Sequence, residues 1–260
     1  MINSHKRVYT TVLGAILAAG VHAQEEKNSL ALEEVLVTAT KREASLQDVS
    51  VAVTALSAEE LRNAQLISSE NLTFLVPALN LQKGTNPRQT SFSIRGIGTQ
   101  SFSSAVEPSV SPMIDGVVLG RSAQAFMQLL DIERVEVLRG PQGTLFGKNS
   151  TAGVVHIITQ DPSEEPSGEI SLTAINDEEY RGGLTTAGPL SDTLGYRLSA
   201  NGATIDDYTK NYFDGDKING ADEWSVRGKL RWLPTELLEL KWALTDDADK
   251  QHYVVHIAAD

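Results

Sequence analysis

The chain has 260 residues, no cysteine and a formal net charge of −12. That length holds one or two domains with real cores. The acid excess argues against a nucleic-acid surface, and the lack of cysteine excludes disulfides and thiolate metal sites.

Met1 to Ala23 carries His5, Lys6 and Arg7, then an apolar run from Val8 to Gly20, and ends Val21-His22-Ala23 ahead of Gln24. This pattern predicts a secretory signal peptide over 1–23, with a buried N-terminal helix as the alternative. Its loss moves the net charge from −12 to −14, because it carries Lys6 and Arg7 and no acid. No later stretch reaches the about 20 apolar residues that a spanning helix needs. A chain that still crosses a membrane must do so as a β-barrel.

Residues 24–48 read as a flexible segment. Within it, Glu33, Glu34, Val35, Leu36, Val37, Thr38 and Ala39 form a β-prone run in a charged setting. Physically this is an unpaired strand able to add to a sheet edge. The alternative is an ordinary first strand of the domain that follows.

Residues 49–162 read as that domain. Val49, Val51 and Val53 alternate with small and polar residues, as a strand does. Ser57 and Glu60 form a capping box that starts a short helix with Leu61. A second helix begins near Ser68 or Ser69, carries Leu72, Leu75 and Val76, and stops at Pro77. Strands follow at Leu79 to Leu81 and Ser91 to Arg95, with loops at Gly84 to Gln89 and Gly98 to Pro108. Asp115-Gly116 between apolar pairs predicts a hairpin. Ser122 caps a helix over Ala123 to Leu130.

Asp131 to Thr159 reads DIERVEVLRGPQGTLFGKNSTAGVVHIIT. Ile132, Val135 and Val137 suggest a strand. Gly140, Pro141 and Gly143 make a rigid turn, and β-branched residues from Gly153 to Thr159 make another strand. The whole stretch resembles the end of the plug domain of TonB-dependent outer-membrane receptors, and the resemblance extends over most of the chain. Residues 49–162 would then be an α+β plug with a small mixed sheet.

After Pro166 the pattern changes to long alternating strands. Trp224, Val226, Gly228, Leu230 and Trp232 share one face; Ser225, Arg227, Lys229 and Arg231 share the other. The two tryptophans lie about 26 Å apart along a strand, near the roughly 25 Å apolar band of outer-membrane barrels once tilted. Lipid outside and water inside fit this face pair. A soluble β-sandwich in a secreted periplasmic binding or interaction module is the alternative.

Tight connections at Gly188 to Asp192 and Leu233 to Glu236 alternate with a long one at Asp206 to Asp222. This parity puts the long connection and Asn176 to Tyr180 outside the cell. Residues 163–260 thus read as about five antiparallel strands of an incomplete outer-membrane β-barrel, against about 22 in a plugged transporter. Such a piece, with an open edge, is expected to be insoluble or to need detergent on its own.

No catalytic constellation stands out. Gly147-Lys148 lacks the spacing of a phosphate loop. His156 reads as a core or rim residue, and His252 and His256 as a surface pair. An enzyme, a resident cofactor and a metal site all lack support.

The resemblance implies more. The run Glu33 to Ala39 looks like the TonB box, which pairs with the periplasmic energy-coupling protein TonB. Arg95 and Arg139, each beside glycine at a strand end, match arginines that pair with glutamates on the inner barrel wall. Ligand would meet the plug apex, at Arg88, Gln89, Gln100 and Phe102. The implied function is uptake of a scarce nutrient, most often a ferric siderophore, with vitamin B12, haem or an oligosaccharide as alternatives. Outer-membrane lipid would be the surrounding partner.

Overall fold

The structure is a computed structural model of the chain. It describes residues 36–38, 44–84, 89–100, 106–121, 124, 126–175, 179–207, 209–210, 212, 217–218, 220–235, 237–247 and 250–259, the last ten as backbone. The signal-peptide expectation for 1–23, and those on Glu33, Glu34, Val35, Ala39, Arg88 and Phe102, lie outside these residues.

A five-stranded mixed sheet organises the first part, in the order β3 (Ala52–Ser57), β9 (Ile132–Arg139), β10 (Gly153–Thr159), β7 (Val110–Ile114), β8 (Val117–Val118). Only β10 and β7 run parallel; the other neighbours are antiparallel. Both faces are buried, which explains the dense β-branched content of β9 and β10. On one face Val135, Val137, Val155 and Ile157 join a core with Leu61, Leu72, Leu79 and Phe92. On the other, Leu138, Val154, Met113, Phe146 and Val37 form a second, smaller core.

The helices are short. In α1 (Ala58–Asn63), Ser57 Oγ accepts from the Glu60 amide and Glu60 Oε2 accepts from the Ser57 amide, the predicted capping box. A 3-10 turn at Ser69–Asn71 leads into α2 (Leu72–Leu75), two residues before Pro77. A separate three-stranded sheet orders β4 (Leu79–Gln82), β5 (Ser91–Ile94) and β6 (Ile97–Gly98).

Two tight hairpins use positive φ at both central positions, as the twist of the strands favours. One is the predicted Asp115-Gly116, at φ 45° and 81°; the other is Arg95-Gly96, at φ 53° and 80°.

Two expectations change. The first strand runs from Ala52 to Ser57, while Val49 packs on the second core. The helix over Ala123 to Leu130 does not form among the described residues: 126–130 is not helical and Gln128 bridges Ser68. Its backbone bonds run sideways instead. Leu129 N–H donates to Ile67 O (2.8 Å) and Met127 O accepts from Ser69 N–H (3.0 Å). Tertiary pairing overrides helix propensity there.

From Ser167 a single antiparallel sheet follows: β11 (Ser167–Ile175), β12 (Glu179–Ser191), β13 (Leu194–Ile205), β16 (Ala221–Thr235), β17 (Leu238–Asp247) and β18 (Lys250–Ala259). A small hairpin, β14 (Thr209–Lys210) with β15 (Lys217–Ile218), sits in the long connection. The sheet has six strands where about five were expected, because Lys250–Ala259 adds one more. Cross-strand register puts Leu198 opposite Gly228, Tyr196 opposite Leu230 and Leu194 opposite Trp232, so one apolar face is continuous.

Candidate functional site

The two faces of the large sheet meet opposite surroundings. Leu172 is 84% exposed, and Ile170, Leu184, Leu198, Trp224, Val226, Leu230, Trp232 and Leu244 are exposed on the same face. Trp232 and Trp242 stack on it, with centroids 6.4 Å apart. A soluble sandwich would bury this face, and none of the described residues covers it. The opposite face was expected to meet water. Instead Arg227 is 3% and Lys229 8% exposed, covered by the first part of the chain.

The cover is chemically specific. Buried cations need carboxylate or carbonyl partners, and the plug side supplies them. Asp131 accepts from Arg197 Nε (2.6 Å) and Nη2 (2.5 Å), and from the Ser199 hydroxyl. Arg227 Nη1 donates to Leu130 O (2.6 Å). Lys229 Nζ reaches Thr159 O (2.9 Å), Asp161 (3.1 Å) and Asp115 (3.3 Å). Lys241 Nζ donates to Asp161 Oδ2 (2.7 Å). Gln128 accepts from Asn201 and donates to Glu223 (2.5 Å). Burial disfavours the charge on Asp161, but the Lys229 charge and hydrogen bonds from Lys241 and Lys229 outweigh it and lower its pKa.

Arg95 and Arg139 take no part in this. Arg95 sits exposed at its hairpin tip. Arg139 is half-buried, and its Nε has no hydrogen-bond partner among the described residues. Neither has an ion pair among the described residues. Among the described residues the plug–wall pairs join plug acids to wall cations. One signal was available, since a strand face carrying Arg227, Lys229 and Arg231 calls for anionic partners.

Of the segment expected to be an unpaired strand, Leu36, Val37 and Thr38 are described, and these three are paired and docked. β1 (Leu36–Val37) lies antiparallel to β2 (Ala44–Ser45), and Val37 is fully buried in the second core. Thr38 N–H donates to Glu136 Oε1 (2.8 Å), and its hydroxyl reaches the same carboxylate (3.2 Å). The apolar side chain of Val37 and the bonding capacity of Thr38 both find partners on the sheet, which holds these two residues in place. Glu136, a charged residue between the apolar Val135 and Val137, is 0% exposed.

Of the apex candidates, Gln89 is half-buried and Gln100 is exposed. Among the described residues no cluster of His, Asp or Glu could hold a metal ion. His156 belongs to the second face of the mixed sheet, with Nε2 accepting from Gly116 N–H (2.9 Å). His252 and His256 lie on β18, described as backbone only.

Residues 45–154 match the model of the TonB-dependent Receptor Plug Domain. The chain belongs to the TonB-dependent outer-membrane receptors. It is 34% identical to the pesticin receptor of Yersinia pestis, over 83% of this chain and 30% of that protein. It is 27% identical to the vitamin B12 transporter BtuB of Vibrio vulnificus, over 82% of this chain and 36% of that protein. The crystal structure of the ferric yersiniabactin uptake receptor FyuA from Yersinia pestis superposes with a TM-score of 0.65 at 31% identity, covering 76% of this chain and 31% of that one. The chain thus spans about a third of the length of these receptors. Within the TonB-dependent receptor frame, the mixed sheet is the plug and the six-stranded sheet is barrel wall.

Proposed function

We propose that this chain forms the plug and opening wall of a receptor that imports a scarce nutrient, most often a ferric siderophore. The observation that carries the reading is the wall's two-sidedness: an exposed tryptophan-bounded apolar face backs onto cations bonded to a plug. The ferric yersiniabactin uptake receptor favours a ferric siderophore; the B12 transporter keeps a corrinoid as the second reading.

In the proposed cycle, ligand binds at the plug apex, where Arg88, Gln89, Gln100 and Phe102 are the candidate contacts. Glu33 to Ala39 then leaves the plug and adds as a strand to TonB, and force through that strand remodels the plug. No covalent bond is made or broken. Arg139, with Nε buried and unpartnered among the described residues, suits a carboxylate on the inner wall, and Arg95 suits another.

Deleting Glu33 to Ala39 is the test. Uptake of labelled ligand is expected to vanish while binding to whole cells persists. Retained uptake would remove TonB coupling from this segment.

A further inference from the structure

Glu136 sits at the floor of the docked segment. It lies on β9 with Arg134 and Leu138 on the same face, opposite Ala55 of β3 and His156 of β10. Its carboxylate is fully buried. The groups around it are Arg134 Nε (2.9 Å), Thr38 N–H and hydroxyl, and His156 Nδ1 at 3.9 Å. A buried carboxylate is tolerable only when so partnered, and one of its partners is Thr38, which comes from outside the mixed sheet.

His156 looks both ways. Its Nε2 accepts from Gly116 N–H, so the proton of the neutral ring lies on Nδ1, the nitrogen toward Glu136. Gly116 is the second residue of the β7–β8 hairpin. The first, Asp115, is held by the Thr159 amide (2.8 Å) and hydroxyl (2.7 Å) and pairs with wall Lys229 (3.3 Å). Polar groups therefore line up from the barrel wall through Asp115, Gly116 and His156 to Glu136 and Thr38, with a 3.9 Å approach of the ring to the carboxylate as the one step that is not a hydrogen bond.

From this geometry we infer that Glu136 is the positioning residue that keeps the N-terminal segment docked, and that His156 ties that docking to the Asp115 hairpin at the wall. A shift of the hairpin moves the ring, the ring moves the carboxylate, and the carboxylate loses Thr38. Calling the released segment the TonB-coupling strand rests on the proposed function; the docking itself does not.

The chain has no cysteine and Val37 is fully buried, so Val37→Cys provides a unique label site that reports docking. The measurement is the maleimide labelling rate in outer-membrane vesicles carrying the protein, without TonB or ligand. Glu136→Ala is expected to raise the rate about tenfold or more, as loss of bonds to a charged group implies. Glu136→Gln keeps an acceptor for the Thr38 amide and is expected to restore most of the protection. Thr38→Val leaves every plug residue intact and is expected to raise the rate about threefold. It also guards against a Glu136 variant that fails to fold. His156→Ala is expected to raise the rate severalfold, while Lys148→Ala, which removes an exposed pair with Glu107, leaves it unchanged.

Unchanged labelling in both Glu136→Ala and Thr38→Val overturns the anchoring role. Unchanged labelling in His156→Ala overturns the link to the hairpin. If Glu136→Ala frees the segment yet deletion of Glu33 to Ala39 leaves uptake intact, the docking stands and the coupling role falls.

Discussion

Asp131 holds Arg197 through two charged hydrogen bonds, 2.6 and 2.5 Å long, and does so from a left-handed backbone at φ 55°. A non-glycine residue in that region carries local strain. Here the strained residue is the one that aims a carboxylate from the plug at the wall, with both side chains mostly buried. Removing one partner leaves an uncompensated charge. Asp131→Asn and Arg197→Met are each expected to loosen the plug by about 3–5 kcal/mol. The double variant is expected to cost less than their sum, because neither charge is left alone. Urea-dependent protease release of the plug from detergent-solubilised protein measures this. Additive losses would mean that the two side chains do not depend on each other.

Asp161 sets a pH dependence at the junction between plug and wall. Its folded pKa is lowered, so its stabilising contribution is fully present above the unfolded value of 3.8. It is lost as pH falls through the lower folded value. Plug retention is therefore expected to weaken in acid below about pH 4. Asp161→Asn is expected to flatten that part of the profile and to lower retention at neutral pH. The check is plug release against pH from 2 to 7 in both proteins. A profile with the same acid slope in the variant would assign the effect to other carboxylates.

Much of this architecture was legible from local chemistry. The period-two alternation from Trp224 to Trp232 fixes a face pair whatever surrounds it. Asp115-Gly116 is a turn by backbone preference alone, and Ser57 with Glu60 satisfies its own helix start. What failed was contact between distant segments. Ala123 to Leu130 has helical spacing, but Ile67 and Ser69 take its backbone bonds. Glu136 looks like a solvated residue in an alternating strand until Val37 and Thr38 are laid over it. Asp131 and Asp161 carry no local mark at all, since their partners lie 66 and 68 residues away in Arg197 and Lys229. Charge pairing at such range is invisible to any pattern along one strand.

All three tryptophans of the chain, Trp224, Trp232 and Trp242, lie on the outward face by register. Brominated acyl chains are therefore expected to quench most of the emission of the membrane-inserted protein, while aqueous iodide quenches little. Leu230 lies between Trp224 and Trp232 on that face. Leu230→Arg is expected to cost roughly 2–4 kcal/mol of insertion free energy if placed near the midplane. On the inner face, Ser225 is buried, and a charge there would report packing on that side instead. Emission insensitive to brominated lipid would place these rings away from hydrocarbon and remove the wall assignment.

Gly153 and Gly140 separate space from conformation. Both have positive φ, at 153° and 99°. A Cβ at Gly153 would lie 2.2 Å from Leu138 O and 2.6 Å from Ile94 Cδ1, whereas at Gly140 nothing lies within 4 Å. Gly153 opens β10 directly opposite Arg139, where both faces of the sheet are packed. Nothing there can move aside without parting β9 from β10. Gly153→Ala is expected to cost roughly 2–6 kcal/mol, from strain and overpacking together. Gly140→Ala pays only the left-handed term, roughly 1–2 kcal/mol. Urea titration of plug protection in the two variants gives the comparison. Equal losses would show that backbone conformation alone decides both positions and that the sheet can open by the needed ångström.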